Sequence, residues 1–271
     1  MRWEEVVAMR AAEILRTVDQ RPWAPPNRPW AMMQVWRNLL FAHWPLPAAT
    51  IRDLLPPNLP LDTYGGDAWV GIVPFRMTGI HLHGLPDIAP FTRLLECNVR
   101  TYVNVDGKPG VYFFSLDADN RVEVEVARAW YHLPYFKAHF AYAFPDTPSD
   151  PADPAVLDGA TRYSVTRSDR RLATGTFAAR YRPIAPPVQT RQGTLEDWLT
   201  ARYCLYTTDR RGRLYRGDIY HQPWQLQAAE AEITQNTLAD AHDLRLPDTA
   251  PLLHYSRRLD MVAWPITGIA L

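Results

Sequence analysis

The chain has 271 residues, enough for one large core or two small ones, and 47% of them are hydrophobic. Its 29 Lys and Arg balance 29 Asp and Glu, so no basic footprint directs it to nucleic acid or to an anionic membrane. No run approaches the roughly 20 apolar residues that a membrane-spanning helix requires.

In chain order, Val7, Ala11, Ile14, Leu15 and Val18 form one stripe and predict a helix over residues 2–20. This run carries acidic residues throughout and does not read as a signal peptide. Residues 21–30 hold too many prolines for regular structure and read as an extended arm that pins Trp23 and Trp30. Residues 35–44 predict a strand ended by Pro45, and Ala48 to Leu55 a short helix closed by Pro56 and Pro57. After the Gly65-Gly66 turn, Ala68 to Met77 is strand-like. His81 and His83 fall in a predicted loop over 78–90; two imidazoles without a third ligand do not make a metal site.

Leu94 to Val105 alternates with period two. Glu96, Asn98, Arg100, Tyr102 and Asn104 share one face, and Cys97, Val99, Thr101, Val103 and Val105 the other. Asp106-Gly107, with Lys108-Pro109-Gly110, turns the chain into a second strand, Val111 to Leu116. The polar face is expected to point into a pocket, with Cys97 and Val99 against an outer layer. Residues 120–132 fit both periods and are assigned to a helix stopping before Pro134. Ala138 to Phe144 is a strand, 146–159 a surface loop, and Tyr163–Thr166 with Thr174–Tyr181 a hairpin. Thr194 and Asp197 resemble a capping box for the helix LEDWLTARY. Tyr203–Thr208 and Arg213–Tyr220 read as strands joined at Asp209–Gly212. A strand follows HQPW, Asn236 caps a short helix, and Leu252–Ser256 and Met261–Ile266 close the chain. Many short strands and few helices predict a mainly β barrel or sandwich.

Cys97 and Cys204 stand far apart, outside any CxxC pair, and read as reduced core thiols. A cytoplasmic protein is expected. Lysine occurs only at 108 and 137.

The runs LLPPNLPLDTYGGDAWVGIVPF, LLECNVRTYVNVDGKPGVYFFSLDA, ARAWYHLPYF, LTARYCLYT and HQPW resemble the YqjF-like bacterial family, a domain of unknown function, from about Trp30 to Pro265. That family is similar in turn to the acetoacetate decarboxylase-like superfamily. The resemblance implies an antiparallel β-barrel or cone around a cavity with a few peripheral helices. With the N-terminal helix and the proline-rich run, the expected organisation is a helical arm over 1–24 and a single such domain over 25–271. Glu96 matches the superfamily's strand Glu, Gly107 and Gly110 its turn, Arg128 its Arg and Pro134 its Pro. Where decarboxylases carry two lysines, this chain has Tyr135 and Phe136, which cannot form an imine.

Glu96 and Tyr135 are therefore the candidate catalytic pair, for proton transfer of a lyase or hydratase type. Asn98, Arg100, Arg128, Arg202 and His221 are the candidate ligand-binding residues, the arginines for an anionic group. A small organic molecule, a carboxylate in particular, is the expected partner, with room for a homo-oligomer. No metal and no cofactor is expected. A non-enzymatic barrel that binds such a molecule in the same cavity is the first reading, a ligand-free scaffold with a filled barrel the third; a structural ion-pair network or a solvated face is the competing role for Glu96.

Overall fold

Asp106 and Gly107 take φ of 52° and 71°, so the chain reverses in two residues with the turn geometry that right-twisted strands prefer. The flanking strands, β3 (Arg93–Val105) and β4 (Lys108–Ala118), pair antiparallel from Val105 and Lys108 onward. Lys108-Pro109-Gly110 belongs to β4 and not to the turn. The computed structural model describes residues 3–85, 93–145 and 159–269; residues 86–92 and all but Gly159 of the predicted loop over 146–159 lie outside them.

β1 (Met32–Pro47), β2 (Asp67–Leu82), β3 and β4 are neighbours in sequence order. From β4 the sheet continues two ways. The end of β4 pairs with β5 (Tyr135–Ala143), and β6 (Thr161–Arg167), β7 (Thr176–Pro183) and β11 (Gln225–Asn236) lead back to β12 (Leu252–Ala263), which pairs with β1. The start of β4 pairs with β9 (Cys204–Thr208), and β10 (Leu214–His221) links β9 to β12. Two closed rings thus share β12 and β1–β4. β8 (Val188–Gln189) and β13 (Thr267–Ile269) extend β11 and β10. The mainly β ring was legible in the strand pattern, but it is not wholly antiparallel. Both joins at β4 are parallel. At one of them the helix α3 (Arg121–Tyr131) carries the chain back between β4 and β5, as a parallel pair requires.

Because they are shared, β1–β4 are covered on both faces. One face carries Leu40, Val70, Cys97 and Val99 against Tyr163, Phe177 and Tyr181 of β6 and β7. The other carries Phe41, Val73, Phe75 and Leu94 against Val124 of α3 and Trp224. It continues into Trp69 and Tyr102 against Leu199 of α4 (Leu195–Thr200). Cys97 and Val99 accordingly face the interior of the larger ring, not an outer layer. Both cysteines are free and buried. In β1, Asn38 at φ 55° adds one residue against β2 and exchanges the faces: Trp36 and Phe41 lie on the same side.

Several element bounds differ from expectation. α1 (Trp3–Ile14) ends early, yet its stripe packs as predicted on Met33, Tyr220 and Trp264. The arm is pinned where Arg21 meets Asp218 at 2.6 Å and Trp23 Nε1 donates to the same carboxylate. α2 (Ala48–Arg52) is also shorter. β1 runs through Pro45, where β12 no longer pairs and an edge tolerates the missing N–H. β2 extends through His81, which is buried in a strand and not in a loop. α4 stops before Arg202 and Tyr203, although Thr194 caps it by accepting from Asp197 N. Asn236 ends β11 and caps nothing; the next turn, Asp240–His242, is a 3-10 helix. The two closing runs are one strand, β12, held straight by β1. Among the described residues no helix is long and apolar enough to cross a membrane.

Inside the larger ring, Arg167 of β6 grips Asp117 of β4 with two hydrogen bonds of 2.7 Å and Ser115 Oγ with a third of 2.9 Å, both ionic side chains fully buried. Removing one partner strands a charge in a dry core. Asp117→Ala should therefore lower unfolding stability by about 3–5 kcal/mol. The double variant Asp117→Leu/Arg167→Met should recover most of that in urea titrations.

Candidate functional site

The strand registers set His43, Gly71 and Arg100 in one line across β1–β3. A Cβ on Gly71 would lie 2.9 Å from the His43 ring and 3.5 Å from the Arg100 stem. Only glycine lets these two side chains share the space above it. Four residues earlier on β3, the line Phe75, Glu96, Ala118 and Lys137 crosses β2–β5 on the same face, and Tyr135 lies on that face beside Leu116. Glu96 and Arg100 are about 13 Å apart along the strand at ~3.3 Å per residue.

At the Glu96 end, Tyr135 Oη donates to Glu96 Oε2 at 2.7 Å and Asn98 Nδ2 donates to Oε1 at 3.1 Å. Both bonds favour the carboxylate, but burial outweighs them and lifts Glu96 to about 7. Glu123, in the first turn of α3, was not anticipated. Neither of its carboxyl oxygens has a partner, and burial, then Asp119 and Glu96, raise it to about 8. Tyr135 feels both acids and is pushed well above its ordinary range, chiefly by burial. Asn98, 3% exposed, leaves its Oδ1 unpartnered. The Lys137 ammonium turns instead to the Asp119 carbonyl.

The Arg100 end has the opposite character. Arg100 lies over the rings of Phe41 and Tyr102 and reaches Tyr102 Oη at 3.4 Å, while its Nε has no partner. Arg202 stacks on the Tyr102 ring at 4.8 Å, pairs with Asp62 at 2.6 Å and leaves Nη2 unused. Trp69 Nε1 is likewise buried without an acceptor. His43, fully buried, meets Tyr102 Oη at 2.7 Å through Nε2 and leaves Nδ1 free. Burial, then the Arg100 charge, holds its imidazole well below the usual range, hence neutral. His254 on β12 is lowered by burial and also has an unpartnered Nδ1.

The structure thus brings Glu96, Asn98 and Tyr135 into contact, with Arg100 on the same face and Arg202 reaching it across Tyr102. His221 enters from β10 between Tyr203 and Trp224, its Nδ1 on the Gln222 carbonyl, and burial lowers it to about 4. Arg128 is not brought in. It donates to the Tyr135 carbonyl at 2.8 Å, lies over Phe136, and has Arg171, Glu125 and Asp169 as its charged neighbours, so it clamps α3 to β5. Among the described residues no group of three or more His, Cys, Asp or Glu is placed to hold a metal ion.

A family model described as an uncharacterized conserved protein, DUF2071, matches residues 33–260. The chain belongs to the DUF2071 family. The uncharacterized protein YqjF of Bacillus subtilis (strain 168) is 44% identical over 248 residues, covering 92% of this chain and 96% of that protein. Among solved structures, the enduracididine biosynthesis enzyme MppR complexed with pyruvate is similar with a TM-score of 0.58 at 13% identity, over 93% of each chain. Acetoacetate decarboxylase from Legionella pneumophila subsp. pneumophila str. Philadelphia 1 gives 0.58 at 11% identity, over 96% of each chain. At these identities the DUF2071 chain shares their fold, an acetoacetate decarboxylase-like β architecture.

Glu96 binds its proton more tightly folded than unfolded, so its contribution to stability falls as pH rises from about 4.5 to about 7. The loss is about 3 kcal/mol. Glu96→Gln should remove it: the melting temperature of the variant relative to wild type should climb between pH 5 and pH 8 in calorimetry.

Proposed function

We propose that this DUF2071 protein binds a small organic carboxylate on the Glu96 face and has lost the imine-forming lysine of acetoacetate decarboxylases. The observation that carries this reading is the gathering of unpartnered buried polar atoms, from Glu123 to Trp69, on the face the smaller ring encloses. Buried polar groups without partners are costly, and a polar ligand would satisfy them. Arg100 serves the carboxylate. The pyruvate complex of MppR supports a carboxylate ligand for this fold. Tyr135 stands where the reactive lysine would, and Lys137, although on the same face, is engaged by a backbone carbonyl.

A second reading, a lyase or hydratase, is favoured by one observation: Glu96 sits near 7 with Tyr135 hydrogen-bonded to it, a poise suited to proton transfer at neutral pH.

Calorimetric titration with acetoacetate, pyruvate and acetopyruvate should show binding that Arg100→Met weakens at least tenfold, a typical effect of losing a charge-assisted pair. Borohydride added to the same mixtures should trap no adduct. A stoichiometric adduct absent from Lys137→Arg would overturn the loss of imine chemistry. For the enzymatic reading, deuterium exchange at the ligand's α-carbon, followed by NMR, should occur and vanish in Glu96→Gln.

A further inference from the structure

The unpartnered atoms of this face are sorted by kind. Toward α3 they are acceptors: both Glu123 oxygens and Asn98 Oδ1, beside the Glu96 carboxyl. Toward α4 they include three obligate donors, Arg100 Nε, Arg202 Nη2 and Trp69 Nε1. At the acidic end a plain carboxylate or a keto acid brings only acceptors, which the two acids can meet only in their protonated forms, whereas a cation pairs with them ionised. We infer that the ligand is a zwitterion of the ω-amino or ω-guanidino acid type, its carboxylate at the Arg100 end and its nitrogen cation between Glu96 and Glu123. This rests on the carboxylate-binding reading and adds the second charge.

The charges around the acidic end support the assignment. Tyr135 from β5 is neutral, Asp119 before α3 adds negative charge, Asp117 of β4 faces away and is engaged by Arg167, and the Lys137 ammonium is held by a carbonyl. Among the described residues nothing neutralises Glu123, and a group with several N–H donors would. Burial first, and neighbouring negative charge after it, hold the two acids above their ordinary range, and an arriving cation acts against both. The spacing of about 13 Å along β3 sets the upper limit on ligand length.

The test is a calorimetric series on the full chain with 4-aminobutanoate, 5-aminopentanoate, 6-aminohexanoate and 4-guanidinobutanoate, against pentanoate, hexanoate and levulinate. At least one amino or guanidino acid should bind tenfold or more tightly than the carboxylate of matched length. Its binding at pH 7 should release protons, read from the dependence of the heat on buffer ionisation. Glu123→Gln should erase the preference for the amino or guanidino acid, whereas Arg100→Met should weaken both classes. Equal or tighter binding of the plain or keto acids, with Arg100 still required, overturns the zwitterion and leaves the carboxylate reading standing. If no compound of either class binds at millimolar concentration, both fall. The wild-type series alone decides between these outcomes if Glu123→Gln does not fold.

Discussion

Four neighbouring strands of this protein are walls of two rings at once. β1–β4 belong to both, so most of their side chains fit one enclosed interior or the other. That constraint accounts for the near-continuous burial of β3 from Leu94 to Val99 and for the bulge at Asn38, which lets β1 change faces. It also explains why polar residues here carry so much information. On a half-exposed sheet, Glu96, Asn98 and Arg100 would be a solvated stripe, whereas here each needs a partner within a dry space.

The two interiors meet that demand differently. In the larger ring the ionic groups find partners within the protein: Arg167 closes on Asp117 and Ser115, and Arg76 donates to Asn38 Oδ1. In the smaller ring they are left open, with acids near α3 and donors near Tyr102. One sheet therefore separates an internally paired core from a face on which buried polar groups lack partners. α3 borders both jobs, since Val124 seals the apolar part while Glu123, one residue earlier, is left without a partner.

Much of this was legible in the sequence. Alternation placed Glu96, Asn98 and Arg100 on one face, and Asp106-Gly107 marked the reversal. What escaped had physical causes. His43 was hidden because parity in β1 breaks at Asn38, where a non-glycine residue takes positive φ. Glu123 reads as an ordinary acid in a capped first turn, and no local pattern says that α3 turns it inward. Arg128 was placed by motif alignment, yet its guanidinium is spent on the Tyr135 carbonyl. The Cys97 face was assigned to an outer layer because alternation reports two sides without saying that both are closed. Arg202 and His221 were named from their motif runs, but the tertiary packing on Tyr102 and Trp224 that brings them to the site region is encoded by no spacing along the chain.

The pairing of β1 with β12 also fixes the order of events when the chain is made. Met32 lies opposite Ala263 and His43 opposite Leu252, so neither ring can close until nearly the whole polypeptide has emerged from the ribosome. Contacts this distant in sequence form slowly, and until they form the apolar face of β1 and its open edge are presented to other chains. Synthesis of this protein is therefore coupled to its solubility: a late strand, β12, covers the first, β1. Its vulnerable period is the interval of translation between them, when a chaperone would have to stand in for β12.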